Sequence, residues 1–187
     1  MKVINKYLIN KGKILVSKPN IGDDLFHNSV VFITEYTQID AVGFILNKPL
    51  DINLNDIIDN CPPFDVQIFN GGPVSSNNLY FIHRVPSKIS ESIHIVNDLY
   101  WGGDFDSVIE LIKKNELRKE DILFFLGYSG WHLGQLQNEL KCNSWEVHEI
   151  KKSLFDWDVN SIWESYMSDS GQEYKIWGNA PKTIRDN

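Results

Sequence analysis

The unbroken apolar run Ile122-Leu123-Phe124-Phe125-Leu126 limits the possible folds more than any other stretch of this chain. Apolar residues in an unbroken row of this length match one strand and show no polar face, so such a strand is covered on both sides. A sheet built around it needs a layer above and a layer below. The residues that follow, Gly127-Tyr128-Ser129-Gly130, predict a glycine-rich turn. Leu133, Leu136 and Leu140 predict a helix leaving that turn.

Strand signals dominate the chain before this unit. Lys13-Ile14-Leu15-Val16 stops at Pro19, and Ser29–Ile33 with Ala41–Leu46 flank a polar link, as in a hairpin with a longer loop. Val66–Phe69 stops at Asn70-Gly71-Gly72-Pro73, and Leu79–His83 and Ser92–Val96 follow. Asn53 is placed to cap a short helix over Leu54–Asp59. Asp104 is placed to cap a longer helix whose apolar face is Phe105, Val108, Ile109 and Ile112. Trp145-Glu146-Val147-His148 alternates like a half-buried strand. Asp158 precedes a helix with Val159, Ile162, Trp163 and Tyr166 on one face, and Gln172–Trp177 predicts another short one. The pattern is α+β with a mixed sheet.

Length and composition set the scale. The 187 residues correspond to a single compact domain over 1–187, with its core at about 10–168 and a C-terminal tail at 169–187. Such a chain can bury about 70% of its unfolded surface, enough for a core without a disulfide or metal. Lys and Arg total 18 against 25 Asp and Glu, a formal charge of −7 that opposes direct nucleic-acid binding. Cys61 and Cys142 lie far apart with no CxxC pair, the N-terminus has no apolar leader, and no run reaches membrane-spanning length. These features point to a soluble cytoplasmic protein with reduced thiols.

Chemical motifs are sparse. A Walker A loop would need a lysine that the Gly127 unit lacks, the GxGxxG fingerprint is absent, and a GxSxG elbow fails because Trp131 stands at the fifth position. Ser129 and His132 are three apart, an awkward spacing for a nucleophile and its base. None of the five histidines forms HExxH. Asp23, Asp24 and Glu35 are better read as solvated strand-end acids than as a cation site. No metal and no cofactor is expected. Asn47 after one strand and Gly71, Gly72 and Pro73 after another are turn chemistry. If these strand ends meet the Gly127 turn, they form one crevice with Gly127, Tyr128, Ser129, Gly130, Trp131 and Gln135. All six tryptophans lie at or beyond position 101. Trp131, flanked by glycines beside a helix N-terminus, is expected to line a pocket and report ligand or partner binding, the competing reading being that it folds back onto the sheet as a core lid.

The order of motifs resembles the YqgE/AlgH family of bacterial proteins from nearly the first strand to Trp163. The matching pieces are Gly12–Val16 with Pro19, Asp24-Leu25-Phe26, Ser29–Phe32, Gly43–Pro49 and Asn70–Val74. The most specific piece is Gly127-Tyr128-Ser129-Gly130-Trp131, with Gly134-Gln135-Leu136, Glu139 and Trp145. Many relatives carry Ala where this chain has Ser129, which argues against a nucleophilic role for that hydroxyl. The resemblance implies a compact α+β fold around a large, barrel-like sheet. It implies little about activity: the AlgH name reflects a proposed role in regulating alginate production, the family is often labelled a transcriptional regulator, and the resemblance brings no established catalytic residue.

The expected function is therefore a non-enzymatic binding or indirect regulatory protein. Its partner is an unidentified protein or small molecule, and its oligomeric state is open. The alternative is an enzyme whose site is the crevice around Asn47, Gly71-Gly72 and Gly127–Trp131.

Overall fold

The computed structural model describes residues 9–169 apart from Asn20, Leu133 and Lys152. Strands β1 (Ile14–Ser17), β2 (Val30–Tyr36), β3 (Asp40–Ile45) and β4 (Pro49–Leu50) come first, followed by helix α1 (Leu54–Ile57), β5 (Ile68–Asn70) and β6 (Val74–His83). β7 (Ile93–Val96), β8 (Leu99–Trp101), α2 (Phe105–Lys113), β9 (Ile122–His132), α3 (Gln135–Lys141), β10 (Trp145–His148) and α4 (Ile162–Met167) complete the order. The ten strands join one sheet, β10-β1-β2-β3-β9-β6-β8-β7, with β5 beside β9 and β4 beside β5. The β5–β9 pair is parallel and β6–β9 antiparallel, so the sheet is mixed and the fold is α+β.

Both faces of the sheet are covered, as the apolar runs require. Along β1, Ile14 and Val16 enter one core and Leu15 the other. On one face, Phe32, Phe44 and Phe125 pack beneath Ile162, Trp163 and Tyr166 of α4. The other face carries two cores. Leu136 and Leu140 of α3 close one with Trp131 and Trp145, and Val108, Leu111 and Ile112 of α2 close the other over Ile122 and Phe124. Helix α2 forms where its apolar spacing placed it, with the Asp104 carboxylate accepting from Ser107 N–H at 3.0 Å. Around α1 the Asp56 carboxylate accepts from the Asn53 N–H at 2.8 Å.

The sheet curls without closing into a barrel. A Cβ at Gly12, just before β1, would stand 2.8 Å from Val96 of β7, and Lys11 donates to the His94 carbonyl at 3.2 Å. β7 and β10 nevertheless remain the two ends of the strand order.

Four elements differ from the sequence reading. The expected glycine turn is strand: β9 continues through Gly127–Gly130 to His132, because β3 takes up its edge with Gly43 opposite Ser129 and Val42 opposite Gly130. Pairing, rather than apolar pattern, also extends β6 back through exposed Ser75-Ser76-Asn77-Asn78 to Val74. Helix α4 starts at Ile162 rather than after Asp158, whose carbonyl instead accepts from the Ile162 N–H at 3.0 Å. β8, too short to show a pattern, exists as the return of a hairpin at Asn97-Asp98, with Asn97 at φ 52°. The helix expected over 172–177 lies outside the described residues.

Candidate functional site

Two of the segments singled out in the sequence, Gly71-Gly72 and the stretch from Gly127, meet, and they do so by crossing. Phe124, Phe125 and Leu126 of β9 pair with β5 on one edge and with β6 on the other. The chain between β5 and β6 must therefore pass over β9, and it does so at Gly71-Gly72 above Gly127. A Cβ on Gly71 would stand 2.2 Å from the Gly127 carbonyl oxygen, and one on Gly72 would stand 2.3 Å from the Tyr128 carbonyl carbon. Gly127 itself sits at φ +68° with the Gly72 carbonyl 2.4 Å from its would-be Cβ. Side chains are excluded at this crossing by backbone on both sides.

The remaining residues of the set fill their own places. Ser129 is fully buried and its hydroxyl donates to the Gly71 carbonyl at 3.0 Å, while His132 is exposed, so the two do not form a catalytic pair. Asn47 accepts from the Val30 N–H at 2.9 Å and donates to the Asn28 carbonyl at 2.8 Å. Tyr128 is half-buried, edge-on to Tyr80 at 5.6 Å, and lies over Gly130, whose added Cβ would meet the Tyr128 ring at 3.2 Å. Pro73 is exposed. Asp23, considered for a cation, accepts from the N–H groups of Leu25 and Phe26 at 2.9 and 3.3 Å. Among the described residues no group of three or more His, Cys, Asp or Glu is placed to hold a metal ion.

Trp131 departs most from its expected setting. It lies in a strand rather than a turn and is only 4% exposed. Its indole N–H donates to Glu139 Oε2 at 2.9 Å, and the Trp145 indole donates to the same oxygen at 2.7 Å. Gln135 completes the arrangement by donating to Glu139 Oε1 at 3.0 Å and accepting from the His132 N–H at 3.3 Å. Trp131 and Trp145 meet edge-on at 5.9 Å with Phe26 against both. One carboxylate thus fastens α3 and β10 to β9. The cavity that Trp131 borders measures about 10 Å³, room for one water.

A larger opening lies elsewhere. At the start of the parallel β5–β9 pair, a cleft of about 490 Å³ runs between Phe69 and Leu123 on the sheet and Phe155 and Trp157 on the segment before α4. Asp65, Lys119 and Glu120 stand exposed at its rim. Between the lining residues Glu120 and Ile122, Asp121 holds a buried carboxylate that accepts from Arg84 Nε and Arg118 Nε, both at 2.8 Å. These hydrogen bonds, first that of Arg118, hold the Asp121 carboxyl down at about 2 from the ordinary 3.8. The Arg84 guanidinium also lies 5.1 Å from the centre of the Phe155 ring, tying the cleft wall to Asp121. Sequence reasoning missed this site because its walls come from segments about 90 residues apart with no motif between them. Trp157 beside Phe155 was the available signal.

Residues 14–175 match the profile of the AlgH-like protein family. The chain belongs to that family. Among AlgH-like relatives, a UPF0301 protein of Cytophaga hutchinsonii is 39% identical over 176 residues, covering 93% of this chain and 97% of that protein. A UPF0301 protein of Parabacteroides distasonis is 37% identical over 181 residues, covering 95% and 91% respectively. The solution structure of the AlgH protein from Pseudomonas aeruginosa superposes with a TM-score of 0.72 at 24% identity, over 92% of this chain and 95% of that one. A crystal structure from Corynebacterium diphtheriae gives 0.73 at 20% identity, over 92% and 93%. The likeness to these two structures is one of overall fold. Among the described residues no helix is long and apolar enough to cross a membrane.

Proposed function

We propose that this AlgH-like chain is a non-enzymatic binding protein that takes a small molecule with a flat apolar body in the cleft between Leu123 and Trp157. The supporting observation is the cleft itself: about 490 Å³, within the usual range for ligand pockets, with apolar and aromatic walls and a few charged groups at the rim. Lys119 and the carboxylates of Asp65 and Glu120 would meet the polar ends of the ligand, and Trp157 and Phe155 its body. Among the described residues the lining contains no histidine, cysteine or serine to serve as nucleophile or neutral-pH base, which favours binding over turnover. We assign Gly71, Gly72, Gly127, Ser129 and Trp131 a structural role, because their environment is filled by backbone and by Glu139. The net charge of −7 favours regulation through a protein partner over direct DNA contact. Two free cysteines fit work in the reducing cytoplasm.

The test is metabolite profiling of the fraction that stays bound to purified chain, run with wild type and with Trp157→Ala. A compound enriched by wild type, recovered unaltered, and lost with Trp157→Ala is the expected result. Conversion of that compound during incubation, or its retention by Trp157→Ala, would contradict the reading.

A further inference from the structure

β6 has a gap along one edge. β8 accompanies it only over Ile82 and His83, opposite Trp101 and Tyr100. The chain then turns away through Gly102 at φ +63° and Gly103 at φ +113°, and enters α2. The Gly102 N–H donates to the Phe81 carbonyl at 3.0 Å, so Phe81 faces the β8 side. Peptide groups alternate along a strand, and Leu79 therefore turns its own N–H and C=O to the same side. Among the described residues no strand lies there, although Leu79 and Tyr80 remain paired to Leu126 and Phe125 of β9 on the opposite edge.

A cavity of about 290 Å³ opens beside this edge, lined by Ile58, Leu79, Phe81, Gly102 and Phe105. The volume is ample for a leucine or phenylalanine side chain. Nothing would meet a Cβ on Gly102 within 4 Å, so the mouth is open on that side. Folded proteins commonly blunt an edge with lysine or proline. Here the residues leading to Leu79 are the uncharged Ser75-Ser76-Asn77-Asn78, all exposed. Acidic residues adjoin the lining in the chain: Asp59 follows Ile58, and Asp104 and Asp106 flank Phe105, while among the described residues no lysine or arginine is in the lining.

We infer that this edge docks an extended segment of a protein partner by strand addition to β6, with one apolar side chain of the segment in the cavity and basic residues beside it facing Asp59 and Asp106. Main-chain hydrogen bonds at Leu79 would supply affinity, and the cavity and the acidic rim would supply selection. The surface is separate from the Leu123–Trp157 cleft, so it stands or falls independently of the small-molecule reading.

The test uses the full chain, labelled with nitrogen-15, and end-blocked short peptides of alternating lysine and leucine. Binding should slow exchange of the Leu79 N–H and move the Phe81 and Gly102 resonances. Methylating the peptide's backbone nitrogens should weaken binding about tenfold or more, since those groups make the added ladder. A glutamate–leucine peptide should not bind, and the exposed double change Asp59→Lys with Asp106→Lys should reverse that preference while leaving the free spectrum folded. Equal binding by the methylated peptide, shifts confined to other surfaces, or no binding up to millimolar peptide would overturn the inference. Protection of the Leu79 N–H in free protein, with a doubled mass in solution, would overturn it in favour of a second copy of this chain.

Discussion

The Ser129 hydroxyl donates to the Gly71 carbonyl at 3.0 Å, at the place where the β5–β6 connection crosses β9. The same carbonyl accepts from the Ile45 N–H at 3.0 Å. Strands β3 and β9 and the β5–β6 connection are thereby fixed at one oxygen, and the neighbouring glycines let the backbones approach closely enough for it.

Gly127→Ala is therefore expected to destabilise the fold by on the order of 3 kcal/mol, from a left-handed backbone and from overpacking together. Gly102→Ala shares the positive φ but has open space around it. It should cost only about 1–2 kcal/mol. Urea unfolding of the two variants, side by side, separates crossing from conformation. Equal losses would remove the crossing from the account.

Trp131→Ala should lower stability by about 3–5 kcal/mol, as deletion of a core aromatic does. Glu139→Ala should cost about 3 kcal/mol, because it strands two buried indole N–H groups. The two losses should fall short of additive in the double variant, since both break the same contact. Thermal unfolding checks this, and a Trp131→Ala midpoint close to that of wild type would return Trp131 to the surface.

Asp121 contributes to the loss of stability in acid. Its folded pKa of about 2 lies below the ordinary 3.8, so the unfolded chain binds the proton more readily between those values. Stability from this group is complete above about pH 4 and is lost as pH falls toward 2, roughly 2 kcal/mol in all. Asp121→Asn should remove that slope from a plot of unfolding free energy against pH, and the two curves should approach each other at the acid end.

Much of the fold was legible because its signals are local. The Asp104 cap with the spacing Val108–Ile112, the apolar run at 122–126, and the polar link before Ala41 each determine an element within a few residues. Gly127–Gly130 was misread as a turn for a physical reason. Its glycines admit close backbone approach, and sequence alone does not say whether a turn or a crossing strand needs them. Trp131 followed from that error: in a strand beside Ala41 of β3, it points into the core where Glu139 meets its N–H. The large cleft left no local trace, since Val66, Leu123 and Trp157 come together only through the parallel β5–β9 pair and the segment leading to α4.

A ligand in the cleft would lie against Trp157 and away from Trp131. The most direct measurement follows the indole N–H resonances of labelled full-length chain during titration with the small molecules eluted from protein purified from its own cells. The expected result is a saturable shift of the Trp157 indole, a Trp131 indole that stays in place, and compounds recovered chemically unchanged. Movement of Trp131 with Trp157 unaffected, or conversion of the added compounds, would contradict it.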